Sequence, residues 1–149
     1  MKTSDQSGPY SFDGTNITLV TSLPAAGAAG YPAGAVPVHN SSGSVAASAA
    51  IATLAAAVGK TTYCTGFEIS GAGATVAAVV TATLSGLLGG TASYTYAAVA
   101  GVLLQNPIFA ISFAMPLPAN AINTAIVLTL PSLGIGNTNA TVTVHGFQL

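Results

Sequence analysis

A chain of 149 residues is long enough for one domain with a real core, yet only five of its side chains are charged: Lys2, Asp5, Asp13, Lys60 and Glu68. With no Arg and a formal net charge of −1, it lacks both the basic patch that nucleic-acid binding draws on and the bidentate clamp that grips phosphate. Hydrophobic residues make up 51 %, mostly Ala and Val, but every stretch of about 20 residues is interrupted by Gly, Pro or several Ser/Thr, so no membrane-spanning helix is expected.

The opening MKTSDQSGPYSF has no apolar core of the kind a secretory signal needs, which points to synthesis in a cytoplasm. Residues 1–44 hold Pro9, Pro24, Pro32 and Pro37 and the low-complexity run PAAGAAGYPAGAVP. Such a run sustains neither a helix nor a central strand, so the segment reads as an extended Pro/Gly/Ala-rich arm, either mobile or ordered by lying on a neighbouring subunit. One short strand, Asn16 to Thr21, is expected inside it.

Residues 45–149 read as strand, turn, strand. Val45 to Val58 is ambiguous: its alanines favour helix, while Ile51, Thr53 and Val58 are β-branched and Ala52, Leu54, Ala56 and Val58 alternate, which favours a strand. Thr61 to Ile69 alternates, with Thr61, Tyr63, Thr65, Phe67 and Ile69 on one face and Thr62, Cys64, Gly66 and Glu68 on the other. After the turn Ser70–Gly73, strands are expected at Ala74–Leu84 (Val76, Val80 and Leu84 on one side), Thr91–Ala97 (Tyr94 and Tyr96 opposite Thr91, Ser93 and Thr95) and Ile108–Met115 (Phe109, Ile111, Phe113 and Met115 on one face). Met115-Pro116-Leu117-Pro118 should end that strand, because proline donates no ladder hydrogen bond. Asn123–Leu130 and Thr138–Leu149 follow, the last with Ala140, Val142 and Val144 opposite Thr141, Thr143, His145 and Phe147. The fold class is therefore all-β: a jelly-roll or related β-sandwich of about eight strands (45–149) with an extended N-terminal arm (1–44).

Few residues carry chemistry. Gly59-Lys60-Thr61 ends like a phosphate loop, but Leu54 stands where the first glycine belongs and a strand follows where a helix is needed; a turn is expected. Gly71/Gly73 and Gly134/Gly136 lack a third glycine and a βαβ setting, and read as hairpin turns. His39 and His145, with Asp5, Asp13 and Glu68, show no clustering along the chain that would build a triad or a paired-carboxylate site. Two distant histidines and the lone Cys64 form no metal-ligand pattern, although His145 could line a threefold axis; Cys64 reads as a buried strand residue. The acceptor patterns at Asn16, Asn40 and Asn139 are those that chance supplies in an Asn/Ser/Thr-rich chain. No catalytic, metal or cofactor residue is assigned, no cofactor is expected, and the chain is not expected to be an enzyme.

The distribution of charge is more telling. From Ile69 to Leu149 there is no Asp, Glu, Lys or Arg. An ordinary soluble domain is about a quarter charged, and uses that charge for solubility and to keep sheet edges apart. A chain without it is expected to cover much of its surface with companion molecules.

GKTTYCTGFEISGAGATV (Gly59 to Val76) and the ending NTNATVTVHGFQL resemble the small, neutral, Ala/Gly/Thr-rich virion proteins of tailed bacteriophages that decorate capsids or form head and tail fibres. The resemblance spans roughly residues 50–149 and lies in strand-and-turn phrasing rather than in a binding motif. It implies a jelly roll or related sandwich, commonly trimeric, fixed to a capsid lattice or fibre. The expected function is that of a structural virion protein, a decoration or cement subunit that binds the major capsid protein and acts as a homo-oligomer. It would have no nucleic-acid or membrane partner. The alternative is a receptor- or glycan-binding fibre module with an exposed cluster near Tyr94, Asn106 or Asn137. A cell-envelope β-protein or outer-membrane barrel ranks lower, for want of a signal peptide and aromatic girdles.

Overall fold

The computed structural model describes residues 10–12, 17–19, 30–101 and 108–149. The chain divides into two compact units, Met1–Gly34 and Ala35–Leu149. In the first, β1 (Tyr10–Phe12) and β2 (Ile17–Leu19) pair antiparallel, with Tyr10 opposite Leu19. β2 falls within the strand expected at Asn16–Thr21; the remainder of that expectation and residues 24–29 of the Pro/Gly/Ala run lie outside the described residues.

The second unit holds β3 (Val36–Ser41), β4 (Ala50–Leu54), β5 (Thr62–Ala72), β6 (Ala78–Leu87), β7 (Gly90–Ala98), β8 (Phe109–Pro118), β9 (Ile126–Leu130) and β10 (Asn139–Gln148). They form two four-stranded antiparallel sheets, ordered β3-β10-β5-β8 and β4-β9-β6-β7. The pairing is nested: β6 with β7, β5 with β8, β4 with β9 and β3 with β10. A chain folded back on itself at the β6–β7 turn and then rolled, so that β10 also meets β5 and β9 also meets β6, has this order. It is a jelly roll.

Alternation explains which side chains fill it. Ala50, Ala52 and Leu54 of β4, Ile126, Leu128 and Leu130 of β9, Ala82 and Leu84 of β6, and Ala140, Val142 and Val144 of β10 are all buried on the inner faces. Phe67 fills the flank between β5, β7 and β8, edge-on to Tyr94 at 4.9 Å between ring centroids and 6.2 Å from both Phe109 and Phe113. Ala82 of β6, the cross-strand partner of Tyr94, is a small side chain on the same inner face.

The structure corrects several expectations. The sandwich begins at Ala35 rather than 45, because β3, assigned from sequence to the arm, pairs with β10 along its length. Pro37 sits in this strand without penalty because β3 is an edge, hydrogen-bonded on one side only. Val45–Val58 contributes a strand only at Ala50–Leu54, where Ala52 faces Leu128 across the ladder; Val45 forms an isolated bridge to Ala140 and Ala47 adopts a φ of 53°.

In β5 the ladder slips between Cys64 and Gly66, so that Thr65 is an extra residue. Parity therefore reverses: Thr62 and Cys64 point inward, and beyond the bulge so do Phe67 and Ile69, which the sequence had grouped with Tyr63. A second irregularity lies in β8, where Cys64 pairs with Leu117 but Gly66 pairs with Ser112. The strand thus continues past Met115 to Pro118, and Met115, expected on one face with the half-buried Phe113, stands 81 % exposed on the irregular segment. Val76, expected on one side of a strand with Val80, precedes β6 and is exposed.

Val142 and Val127 separate core from surface. Val142→Asp buries an unpaired carboxylate and should unfold the domain or cost at least about 4 kcal/mol by denaturant titration, whereas Val127→Asp, on the outer face of β9, should cost only about 1 kcal/mol. Thr62 is fully buried and its Oγ1 has no hydrogen-bond partner among the described residues. Thr62→Val, isosteric without the hydroxyl, should leave stability unchanged or raise it by about 1 kcal/mol; a loss of that size in thermal melts would show that the hydroxyl is satisfied.

Candidate functional site

Sequence placed His39 in the arm and His145 alone near the C-terminus. The structure brings them together: His39 of β3 and His145 of β10 are direct cross-strand partners on the outer face of the β3-β10-β5-β8 sheet. Glu68 of β5 reaches the same face, its Oε1 3.8 Å from His145 Nε2. With the two side chains 40 % and 53 % exposed, this is a solvated contact of little energetic weight. Ser112 lies in the same row, but Gly66 stands between it and His145, so the hydroxyl is two strand spacings away, about 10 Å. On the same face, two residues along from the histidines, the Thr143 hydroxyl donates to Ser41 Oγ at 3.2 Å. Among the described residues no three His, Cys, Asp or Glu side chains converge as metal ligands.

The remaining candidates are structural. Gly59 and Lys60 belong to the β4–β5 turn: the Gly59 amide donates to Asn123 Oδ1 at 2.6 Å and the Asn123 amide to the Lys60 carbonyl at 3.0 Å. Tyr96 lies in the core and Tyr94 packs edge-on against Phe67, so the pair offers no exposed stacking platform. Burial raises both phenols, assisted at Tyr94 by the Cys64 charge and opposed at Tyr96 by a backbone hydrogen bond with Gly71. Asn137 is buried as a clasp between loops, its Nδ2 donating to the Ala72 carbonyl at 2.8 Å and to that of Asn139 at 3.3 Å. Asn106 lies outside the described residues. Tyr94 and Asn137 thus do not form the exposed cluster a glycan site would need.

What distinguishes the molecule is its surface. The outer face of the β4-β9-β6-β7 sheet carries only hydroxyls and aliphatics: a row of Ile51, Thr129, Thr83 and Ser93 runs across all four strands, flanked by the pairs Thr81–Thr95 and Val79–Ala97. Solvated sheet faces ordinarily intersperse Lys and Glu. Both ends of the sandwich present bare aliphatic tips. Val58 between β4 and β5 is 97 % exposed and Ile135 between β9 and β10 is 84 % exposed. Leu88 between β6 and β7 and Ile122 between β8 and β9 are exposed as well. Sequence reading missed these tips, although a signal exists: Val58-Gly59, Leu88-Gly89 and Gly134-Ile135-Gly136 each set one branched aliphatic beside a turn glycine with positive φ, where no strand can bury it.

No helix among the described residues is long and apolar enough to cross a membrane. Comparison with protein-family models, with curated proteins and with solved structures finds no match to this chain.

Cys64 gives a test of how closed the interior is. Burial pushes its thiol from 9.0 up to about 11, partly opposed by backbone hydrogen bonding at Gly66. Between these values the unfolded chain sheds a proton that the folded one keeps, so stability is intact below pH 9 and should fall by about 2 kcal/mol as pH rises to 11. Cys64→Ala should flatten that slope, and an aromatic disulfide reagent at pH 8 should label Cys64 only after unfolding.

Proposed function

We propose that this chain is a structural subunit that works by association, in the manner of a capsid decoration or cement protein. The observation that carries the proposal is the coincidence of a charge-free sheet face with aliphatic loop tips on a protein whose described residues carry only Lys60 and Glu68 as permanently charged side chains. An isolated molecule would leave these apolar surfaces in water. Association removes them at about 25 cal/mol per Å² of apolar area, and neutral faces make contact without desolvating charge. Depletion of charge at the centre of interfaces follows the same physics.

The jelly roll supports the capsid setting only by analogy, since this architecture recurs in viral capsids and equally in lectins. The resemblance of Gly59–Val76 and Asn137–Leu149 to phage virion proteins favours the virion, with the major capsid protein as partner and several copies of this chain per unit. The open β3-β10-β5-β8 face, with His39, His145 and Glu68, supplies the polar surface such a subunit would turn to solvent.

Purified protein should run as a homo-oligomer by size exclusion with light scattering at micromolar concentration. Because the contacts are apolar, 0.5 M sodium sulfate should strengthen association and added sodium chloride should not dissolve it. A folded, monodisperse monomer under these conditions would overturn the proposal. Antibody labelling of purified particles would then locate the chain; labelling confined to a fibre tip would transfer the role from decoration to receptor binding.

A further inference from the structure

A two-sheet sandwich has four edge strands, here β3, β8, β4 and β7. Exposed edges invite pairing with other chains, and proteins blunt them with proline, bulges, charge or shortness. Three of the four are blunted. β3 carries Pro37. β8 carries Pro116, Pro118 and the irregular segment between Ser112 and Leu117. β4 has five residues, and its Thr53 amide is taken at 3.5 Å by Asn40 Oδ1 from the other sheet.

β7 is the least guarded. It runs nine residues, GTASYTYAA, with no proline and no charge, and its ladder to β6 is regular from Ala78 to Leu84, slipping only at the turn end between Leu84 and Leu87. Among the described residues its free side hydrogen-bonds to nothing. Beside that edge lies an apolar groove of about 330 Å³ lined by Thr95, Tyr96, Ala97, Ile108 and Phe109.

We propose that the free edge of β7 is a strand-addition site for the β7 of a second copy, the two pairing antiparallel about a twofold axis so that their β4-β9-β6-β7 sheets become one. The proposal deepens the self-associating role and rests on it. A second copy suits the site because β7 is complementary to itself. Antiparallel pairing sets Thr91, Ser93, Thr95 and Ala97 of one strand against the same residues of the other, hydroxyl and methyl against hydroxyl and methyl, with no like charges opposed. The main chain supplies the ladder, and the exposed Ile108 beside the groove adds apolar area next to it. A twofold contact generates even copy numbers, two or, if trimers pair, six, rather than the three that the family resemblance implies.

Native mass spectrometry and light scattering on the full chain test this with Thr95→Lys and Ser93→Lys, each of which sets like charges across the axis, and with Thr141→Lys on the opposite sheet as control. Circular dichroism checks the fold of each variant. Wild type and Thr141→Lys should show the same even assembly, while the β7 variants should stay folded and dissociate at least tenfold more readily. Hydrogen exchange on wild type is independent of any variant: β7 amides should be protected at high concentration and lose protection on dilution before those of β10. A folded Thr95→Lys with wild-type assembly, a stable odd-numbered oligomer, or β7 protection independent of concentration would overturn the β7 pairing while leaving self-association standing. A monomeric wild type would overturn both.

Discussion

The sandwich exists only when the last strand of the chain is inserted between two early ones. β10 pairs with β3 on one side and with β5 on the other, the latter over ten register positions. Its inner residues Ala140, Val142 and Val144 are fully buried, and its C-terminal end closes the fold with paired bonds between Leu149 and Thr61. Gly146 shows how tightly this strand is held: a Cβ there would run into the Tyr63 carbonyl and press on Leu54. The nested order makes every ladder except β6–β7 a long-range contact, so most of the loop-closure entropy must be met before the sheets stabilise one another. β6 and β7, joined by the short turn Leu88–Gly89, are the natural place for pairing to begin.

Much of this was legible because buried and exposed positions alternate strictly where the ladders are regular. Tyr94 and Tyr96 against Thr91, Ser93 and Thr95, or Val142 and Val144 against Thr141 and Thr143, could be assigned to faces without a structure. The errors fall where regularity breaks. One extra residue, Thr65, moves Phe67 and Ile69 to the other side, and nothing in Tyr-Cys-Thr-Gly-Phe marks which residue is surplus. β3 was hidden by its own composition: a proline and two exposed faces look like a linker, and only the presence of β10 makes an edge strand of it. The expected sandwich of about eight strands is what the second unit holds, although β3 was read as part of the arm. The His39–His145 pair was illegible for the same reason, as it depends on the β3–β10 register.

The choice of small residues has a thermodynamic consequence. Ala50, Ala52, Ala82, Ala98 and Ala140 occupy core positions that larger side chains fill in other sandwiches. Each buries little apolar area, while the backbone entropy lost per residue is the same as for leucine. The aromatic cluster around Phe67 offsets this at one flank, between β5, β7 and β8, but the aliphatics that could have enlarged the core are instead displayed at the loop tips. Apolar area is displayed at the surface rather than added to the interior, so the folded chain draws its stability from a limited stock of large buried side chains.

With charge nearly absent, selectivity of contact must come from shape and from the backbone. Long-range steering and like-charge rejection, the usual means of excluding wrong partners, need ionised groups that Ile69 to Leu149 do not supply. What remains is control over which backbone edges are open. Had all four edges been bare, neutral chains of this kind could add head to tail without limit, as unguarded sheets do in fibrils. Pro37 on β3, the prolines and irregular segment of β8 and the Asn40 cap on β4 remove three of those routes. An edge that meets only its own copy closes on itself after one contact and leaves nothing to propagate. Of the two edges that border the uncharged face, β4 is short and capped by Asn40 while β7 carries neither proline nor charge, so the routes to unlimited addition narrow to one strand.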